Sequence, residues 1–182
     1  MELPININTD QTDNEEFIEP ENNEYDLSLK LPNYKLHLNS CGRGKGLAIY
    51  YKDKFEVTRD ICQENLQMTI LESEDLCVIC IYRSDQDKSL CNQLAEVIPA
   101  STPCLVIGDI NICSMAASNH EVFTMLKVMG FSLLVTEATH ITGGHIDQAW
   151  LRRPLNENEV FNTQLYSPYY NARDHDCILF TL

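Results

Sequence analysis

Three features of the 182-residue chain predict an α+β sandwich, in which two β-sheets pack face to face and helices cover the outside. Strand-like apolar runs come in series, two amphipathic segments at helical spacing interrupt them, and Pro or Gly punctuates the junctions. A chain of this length buries roughly 70% of its unfolded surface and needs no disulfide to hold a core. Its 44% hydrophobic and 22% charged content is that of an ordinary globular protein. No apolar run approaches the ~20 residues that cross a bilayer, so no membrane association is expected.

Residues 1–28 are rich in Asn, Asp and Glu and poor in apolar side chains. They bury too little surface to offset the entropy of ordering, which predicts an acidic flexible tail ahead of one domain over 29–182. Pro32 and Asn33 mark a turn. The Gly-rich stretch 40–46 precedes the apolar run 47–51; Gly44-Lys45-Gly46 lacks the spacing and following helix of a P-loop, so a hairpin connection is expected. Strands at 55–58, 66–71 and 76–82 follow closely enough to form a meander. Leu90, Leu94, Val97 and Ile98 recur at helical spacing, and Pro99 and Pro103 end that helix before a strand over 104–107. A second helix shows an apolar face of Val122, Phe123, Leu126 and Met129, and Gly130 supplies its left-handed stop ahead of a strand over 131–135. Late strands are expected near 146–151, 162–166 and 177–182.

Eight cysteines are scattered through these segments, the pattern of core thiols more than of a disulfide scaffold. Cys77 and Cys80 form a CxxC, but on a strand residues three apart point to opposite faces, and no second pair completes a zinc site. The N-terminus has neither a basic start nor an apolar stretch of the secretory kind, so an intracellular location, nuclear or cytoplasmic, is expected. The formal charge of -14 weighs against nucleic acid as a partner. Nine of the 27 acidic groups, however, fall in residues 1–26, which contain no Lys or Arg; the remainder holds 18 acidic and 13 basic groups. A divalent cation at an acidic cluster would offset part of that charge where a phosphate must approach.

The chemistry concentrates at strand ends. In Val106-Ile107-Gly108-Asp109-Ile110-Asn111 an apolar strand ends in Gly and then offers a carboxylate and a carboxamide two residues apart, a spacing that puts both on one face if the chain stays extended. The other reading is an Asx turn that caps the strand. Asp174 and His175 lie just before the terminal apolar strand, and Asp147 opens the strand before Trp150. Together these groups suit a hard divalent cation held through oxygen, an oriented water and a proton-handling imidazole.

In order, Gly108-Asp109-x-Asn111, Ile146-Asp147-x-x-x-Leu151 and Asp174-His175 resemble the endonuclease/exonuclease/phosphatase superfamily. The wording is most similar to mobile-element endonucleases, of the kind carried with retrotransposons or helicase-bearing rolling-circle elements. It rests on residues 31–35, on 42–50, on Ile81-Tyr82-Arg83-Ser84 and on Thr139-His140-Ile141-x-Gly143-Gly144-His145-Ile146-Asp147. The likeness spans about residues 31–182 and implies a four-layered, DNase-I-like α/β sandwich. It implies Mg²⁺- or Mn²⁺-dependent hydrolysis of phosphodiester bonds with DNA as partner. Asp109 would orient or activate water, Asn111 would help hold phosphate or that aspartate, and His175 would contact the scissile phosphate. Asp174 would brace the site near the metal, and Asp147 would pair with His175. Tyr82 falls where the family has a Tyr or His beside the phosphate, a packed tyrosine being the alternative. Arg83, Arg173 and Tyr170 are the candidate substrate contacts.

The front of the chain departs from the family pattern. Two strands that bring an Asn and a metal-binding Glu are missing before Leu31, so an N-terminally truncated fold is expected, with Glu15 as a candidate replacement metal ligand. A non-catalytic remnant or binding module of the same fold is the competing expectation. His140 and His145 either pair on a metal or shape the loop before Asp147. Tyr166, Tyr169 and Tyr170 are suited to stacking on unpaired bases or to loop packing, and Arg152 and Arg153 to phosphate contact or a solvated edge.

Overall fold

A computed structural model describes residues 31–40, 46–84, 87–153, 163–166, 175 and 177–180, with backbone alone for 163–166 and 177–180. The expected acidic tail over 1–28 lies outside the described residues. The chain enters through β1 (Lys35–Ser40), which pairs antiparallel with β2 (Gly46–Tyr51) as a two-stranded sheet. Next come β3 (Glu56–Gln63), β4 (Leu66–Glu72) and β5 (Cys77–Arg83), the antiparallel meander that the strand pattern predicts. Helix α1 (Leu90–Val97) crosses over to β6 (Cys104–Asp109), which lies parallel to β5. Helix α2 (Glu121–Val128) leads to the short β7 (Ser132–Leu133), and β8 (Asp147–Arg152) inserts antiparallel between β6 and β7. The large sheet therefore has the order β3-β4-β5-β6-β8-β7, and β9 (Thr163–Tyr166) pairs with β10 (Cys177–Phe180) in a separate two-stranded sheet.

Strand alternation divides the large sheet into two cores. Met68, Ile70, Ile79, Ile81, Val106 and Trp150 face the helices and meet Leu94, Phe123 and Leu126. Leu71, Val78, Cys80, Leu105, Ile107 and Leu151 face the other way and meet Leu47 and Ile49 of β2. Among the described residues the helices cover one side and the hairpin covers the other. The hairpin is also fastened by polar contacts: Asn39 Nδ2 donates to the Met68 carbonyl at 2.9 Å, and His37 Nε2 lies 2.8 Å from Asp60. The outer face of β1 shows Leu36 and Leu38, exposed by 42% and 41%.

Cys77 belongs to the helix-side core and Cys80 to the opposite one, as strand geometry requires of residues three apart. Both are free thiols, as are Cys91, Cys104 and Cys113. Cys62 departs from the expectation of core thiols: it is exposed on the edge strand β3 and is disulfide-bonded. The strand expected over 131–135 shrinks to two residues, because the chain leaves the sheet edge after Leu133. Gly130 ends α2 with φ +85° and donates its N–H to the Lys127 carbonyl at 3.0 Å. No helix of the described residues is long and apolar enough to cross a membrane.

Gly108 leaves no room for a side chain. It has φ +140°, and a Cβ there would lie 1.9 Å from the backbone oxygen of Ile81, its register partner on β5. Gly143 has φ +84° and nothing within 4 Å of the place a Cβ would take, so it isolates the backbone cost from the steric one. Gly108→Ala is expected to destabilise the fold by at least ~3 kcal/mol and Gly143→Ala by about 1 kcal/mol. Urea unfolding midpoints of the two variants check that difference.

Candidate active site at the rim of the large sheet

Tyr82, Asp109 and Asp147 are register partners across the three adjacent strands β5, β6 and β8. Their parity along each strand matches Cys80, Ile107 and Ala149, so all three belong to the face turned toward the second sheet. The row lies at the C-terminal ends of β5 and β6 and the N-terminal end of β8, where the sheet gives way to loops. The fourth member comes from a distant segment. An antiparallel bridge joins His140 to His175, and His175 Nδ1 lies 2.8 Å from Asp147 Oδ2.

Asp109, Asp147 and His175 thus offer ligand atoms that all lie within 4.8 Å of one another, a group able to hold a metal ion. Asp109 is 3% exposed. Burial first, and then the neighbouring Asp147 carboxylate, push its pKa up to about 7, with the His175 ring, the Asn111 N–H and the Arg83 guanidinium pulling the other way. A cation between the two carboxylates would relieve that repulsion, and hard carboxylate oxygens are the donors that Mg²⁺ or Mn²⁺ takes, so the donor set fits such an ion.

Asn111 does not stand beside Asp109 on an extended chain. β6 stops at Asp109, the backbone turns, and Asn111 takes φ +52°. Its N–H donates to Asp109 Oδ1 at 2.9 Å, the Asx turn that was the other reading of this spacing. Asp147 is held in a related way, its N–H donating to Thr139 Oγ1 at 3.1 Å. Tyr82 is 6% exposed and packs in the second-sheet core.

Arg83, expected as a substrate contact, turns inward. It is one residue out of phase with Tyr82 and so points to the helix side, where it is 7% exposed. Its guanidinium donates to the carbonyls of Ile110 at 3.2 Å and Asn111 at 3.4 Å and pairs with Asp87 at 3.5 Å. Asp87 in turn accepts the N–H of Leu90 at the start of α1, at 3.0 Å. The two histidines before Asp147 part company: the His140 ring meets the His175 ring edge-on at 4.9 Å, while His145 is fully buried with Nδ1 against Ser114 Oγ. Burial holds the His145 imidazole below its ordinary pKa, Asp147 opposing. Arg152 donates to the carbonyls of Pro99 and Thr102.

Glu15, Tyr169, Tyr170, Arg173 and Asp174 lie outside the described residues. Thr139, Ser114 and Gln148 are the side chains around the cluster that sequence reasoning did not assign. Strand parity alone places Gln148 behind Asp147; only the fold reveals what it touches.

No family model matches the chain, and no curated protein matches it in sequence. Solved structures do match its fold. The endonuclease domain of TRAS1, a telomere-specific non-LTR retrotransposon, aligns at TM-score 0.57 and 15% identity over 82% of this chain and 78% of that one. Truncated Caenorhabditis elegans TDP2 aligns at TM-score 0.57 and 14% identity over 81% and 74%. Humanized D. rerio TDP2 aligns at TM-score 0.51 and 16% identity over 82% and 76%. The chain shares the DNase-I-like fold of these structures, the fold class expected from its sequence.

Asp109 makes stability depend on pH in a fixed direction. Below pH ~3 it is protonated in both folded and unfolded chains and costs nothing. As pH rises toward 7 the unfolded carboxyl ionises while the folded one resists, so stability falls, and above about 7 the loss is complete. Asp109→Asn keeps the acceptor for the Asn111 N–H and removes the charge. In chelator it is expected to be more stable than the parent chain by about 4 kcal/mol at pH 8 and equal to it at about pH 3, as denaturant melts at the two pH values check.

Proposed function

We propose that this chain is a divalent-metal-dependent phosphodiesterase, an endonuclease domain of mobile-element type that hydrolyses DNA. The observation that carries the reading is the meeting of Asp109, Asp147 and His175, from three segments far apart in sequence, within 4.8 Å of one another at one rim of the sheet. The likeness in fold to the endonuclease domain of a retrotransposon supports it.

Mg²⁺ or Mn²⁺, held by Asp109 and Asp147 with Asp174 and Glu15 as further candidate ligands, would supply Lewis-acid stabilisation of charge on the phosphate oxygens. The other parts of the reaction fall to the chain itself. Asp109, at the end of β6, would orient the attacking water and take up its proton. Its Oδ1 is fixed by the Asn111 N–H, so its orientation is set before substrate arrives. Asp147 accepts the Nδ1 hydrogen of His175, which selects one tautomer and steadies the ring for contact with the scissile phosphate. Tyr82 flanks that phosphate, and Arg173 and Tyr170 are the proposed contacts to the rest of the DNA. Arg83 serves the site from behind by holding the turn after Asp109.

Nicking of supercoiled plasmid by the purified chain, in Mg²⁺, Mn²⁺ or chelator, tests the proposal. Activity is expected with either cation and not with chelator, and Asp109→Ala and His175→Ala should each lower it by about 10² or more. Equal rates for the parent chain and both variants would leave a non-catalytic binding module of the same fold.

A further inference from the structure

Two carboxylates facing one another repel, and strand pairing fixes only the backbones of Asp109 and Asp147. The loop that follows Asp109 and the segment that leads into Asp147 must also be held at one separation. Gln148 touches both. It follows Asp147 directly, so its side chain enters the opposite face of the sheet, where it is fully buried. Trp150 Nε1 can only donate, and it does so to Gln148 Oε1 at 2.8 Å. That contact fixes which way the amide points. Both Nε2 hydrogens are then directed at carbonyls: Ile112 at 2.8 Å, three residues past Asp109, and His145 at 3.2 Å, two residues before Asp147. The His145 carbonyl also accepts the Ser114 N–H at 3.1 Å, closing the loop onto the same segment.

We propose that Gln148, oriented by Trp150, is a positioning residue that sets the separation of Asp109 and Asp147 for a divalent cation. The inference rests on the metal-dependent reading above. Every polar atom of the amide has a partner, and such a buried network specifies one arrangement of the groups it joins. Groups behind metal ligands govern metal affinity, typically by 10- to 100-fold.

The test is Mn²⁺ affinity of the full chain, from the free-ion electron paramagnetic resonance signal, measured beside the thermal midpoint. Gln148→Met keeps length and volume but removes donor and acceptor together, and it should weaken Mn²⁺ binding at least tenfold and lower the midpoint. Gln148→Met/Trp150→Phe also removes the orphaned indole N–H, and the Phe ring keeps the stacked contact with Phe123, whose centroid lies 5.6 Å away. The double variant should regain most of the midpoint and none of the affinity. Recovery of both together, or an unchanged affinity in Gln148→Met, would overturn the positioning role and leave the metal reading standing. Absence of Mn²⁺ binding by the parent chain would overturn both. Should the single variant not fold, the double variant compared with the parent carries the same decision.

Discussion

Hydrogen-bonded register across β5, β6 and β8 is the constraint on which the site depends. Because Tyr82, Asp109 and Asp147 are partners in one row, the sheet sets the backbones that carry two like charges side by side. Left to themselves the carboxylates would separate into water, where each would be solvated. The sheet can impose the opposite because the apolar residues on both its faces contribute far more to the fold than one repulsive pair subtracts. Asp109 carries the mark of that imposition, since burial and Asp147 together make its carboxyl hold a proton to neutral pH.

The row itself rests on a contact with no side chain in it. At Gly108 the Ile81 backbone occupies the space where a Cβ would stand, so β6 sits close to β5 one residue before the reactive aspartate. Beyond that point the two faces of the sheet divide the work. Tyr82, Asp109 and Asp147 face the second sheet, while Arg83 and Gln148, each one residue later in its strand, face the helices and grip the turn that follows β6. Neighbours in sequence serve one site from opposite sides.

Much of this was legible from residue order. The apolar run ending in Gly and Asp marked the end of β6, Pro99 and Gly130 marked the ends of the helices, and strand parity separated Cys77 from Cys80. Turns and inward-facing polar groups were harder. Asn111 fitted an extended chain and an Asx turn equally well, because the spacing of two says nothing about whether the strand continues. Arg83 stood as a candidate substrate contact, and only the position of Asp87 and of the Ile110 carbonyl shows why it is buried. Gln148 and Thr139 carry no signal in a single sequence; their roles come from backbone atoms, which any residue type provides, and from groups that only the fold brings near. β1 was implied only through its hairpin, since Lys35, His37 and Asn39 replace apolar residues at the positions that face the sheet.

Such a division of labour has a bearing on how far chains of this architecture can diverge. Helices α1 and α2 reach the chemistry only through the few groups that stand between them and the reactive row, so drift in their sequences goes unfelt as long as bulk behind Trp150 and Leu94 is preserved. An insertion of a single residue in β6 or β8 has no such tolerance: it would exchange the two faces and present a glycine and an amide where acids belong.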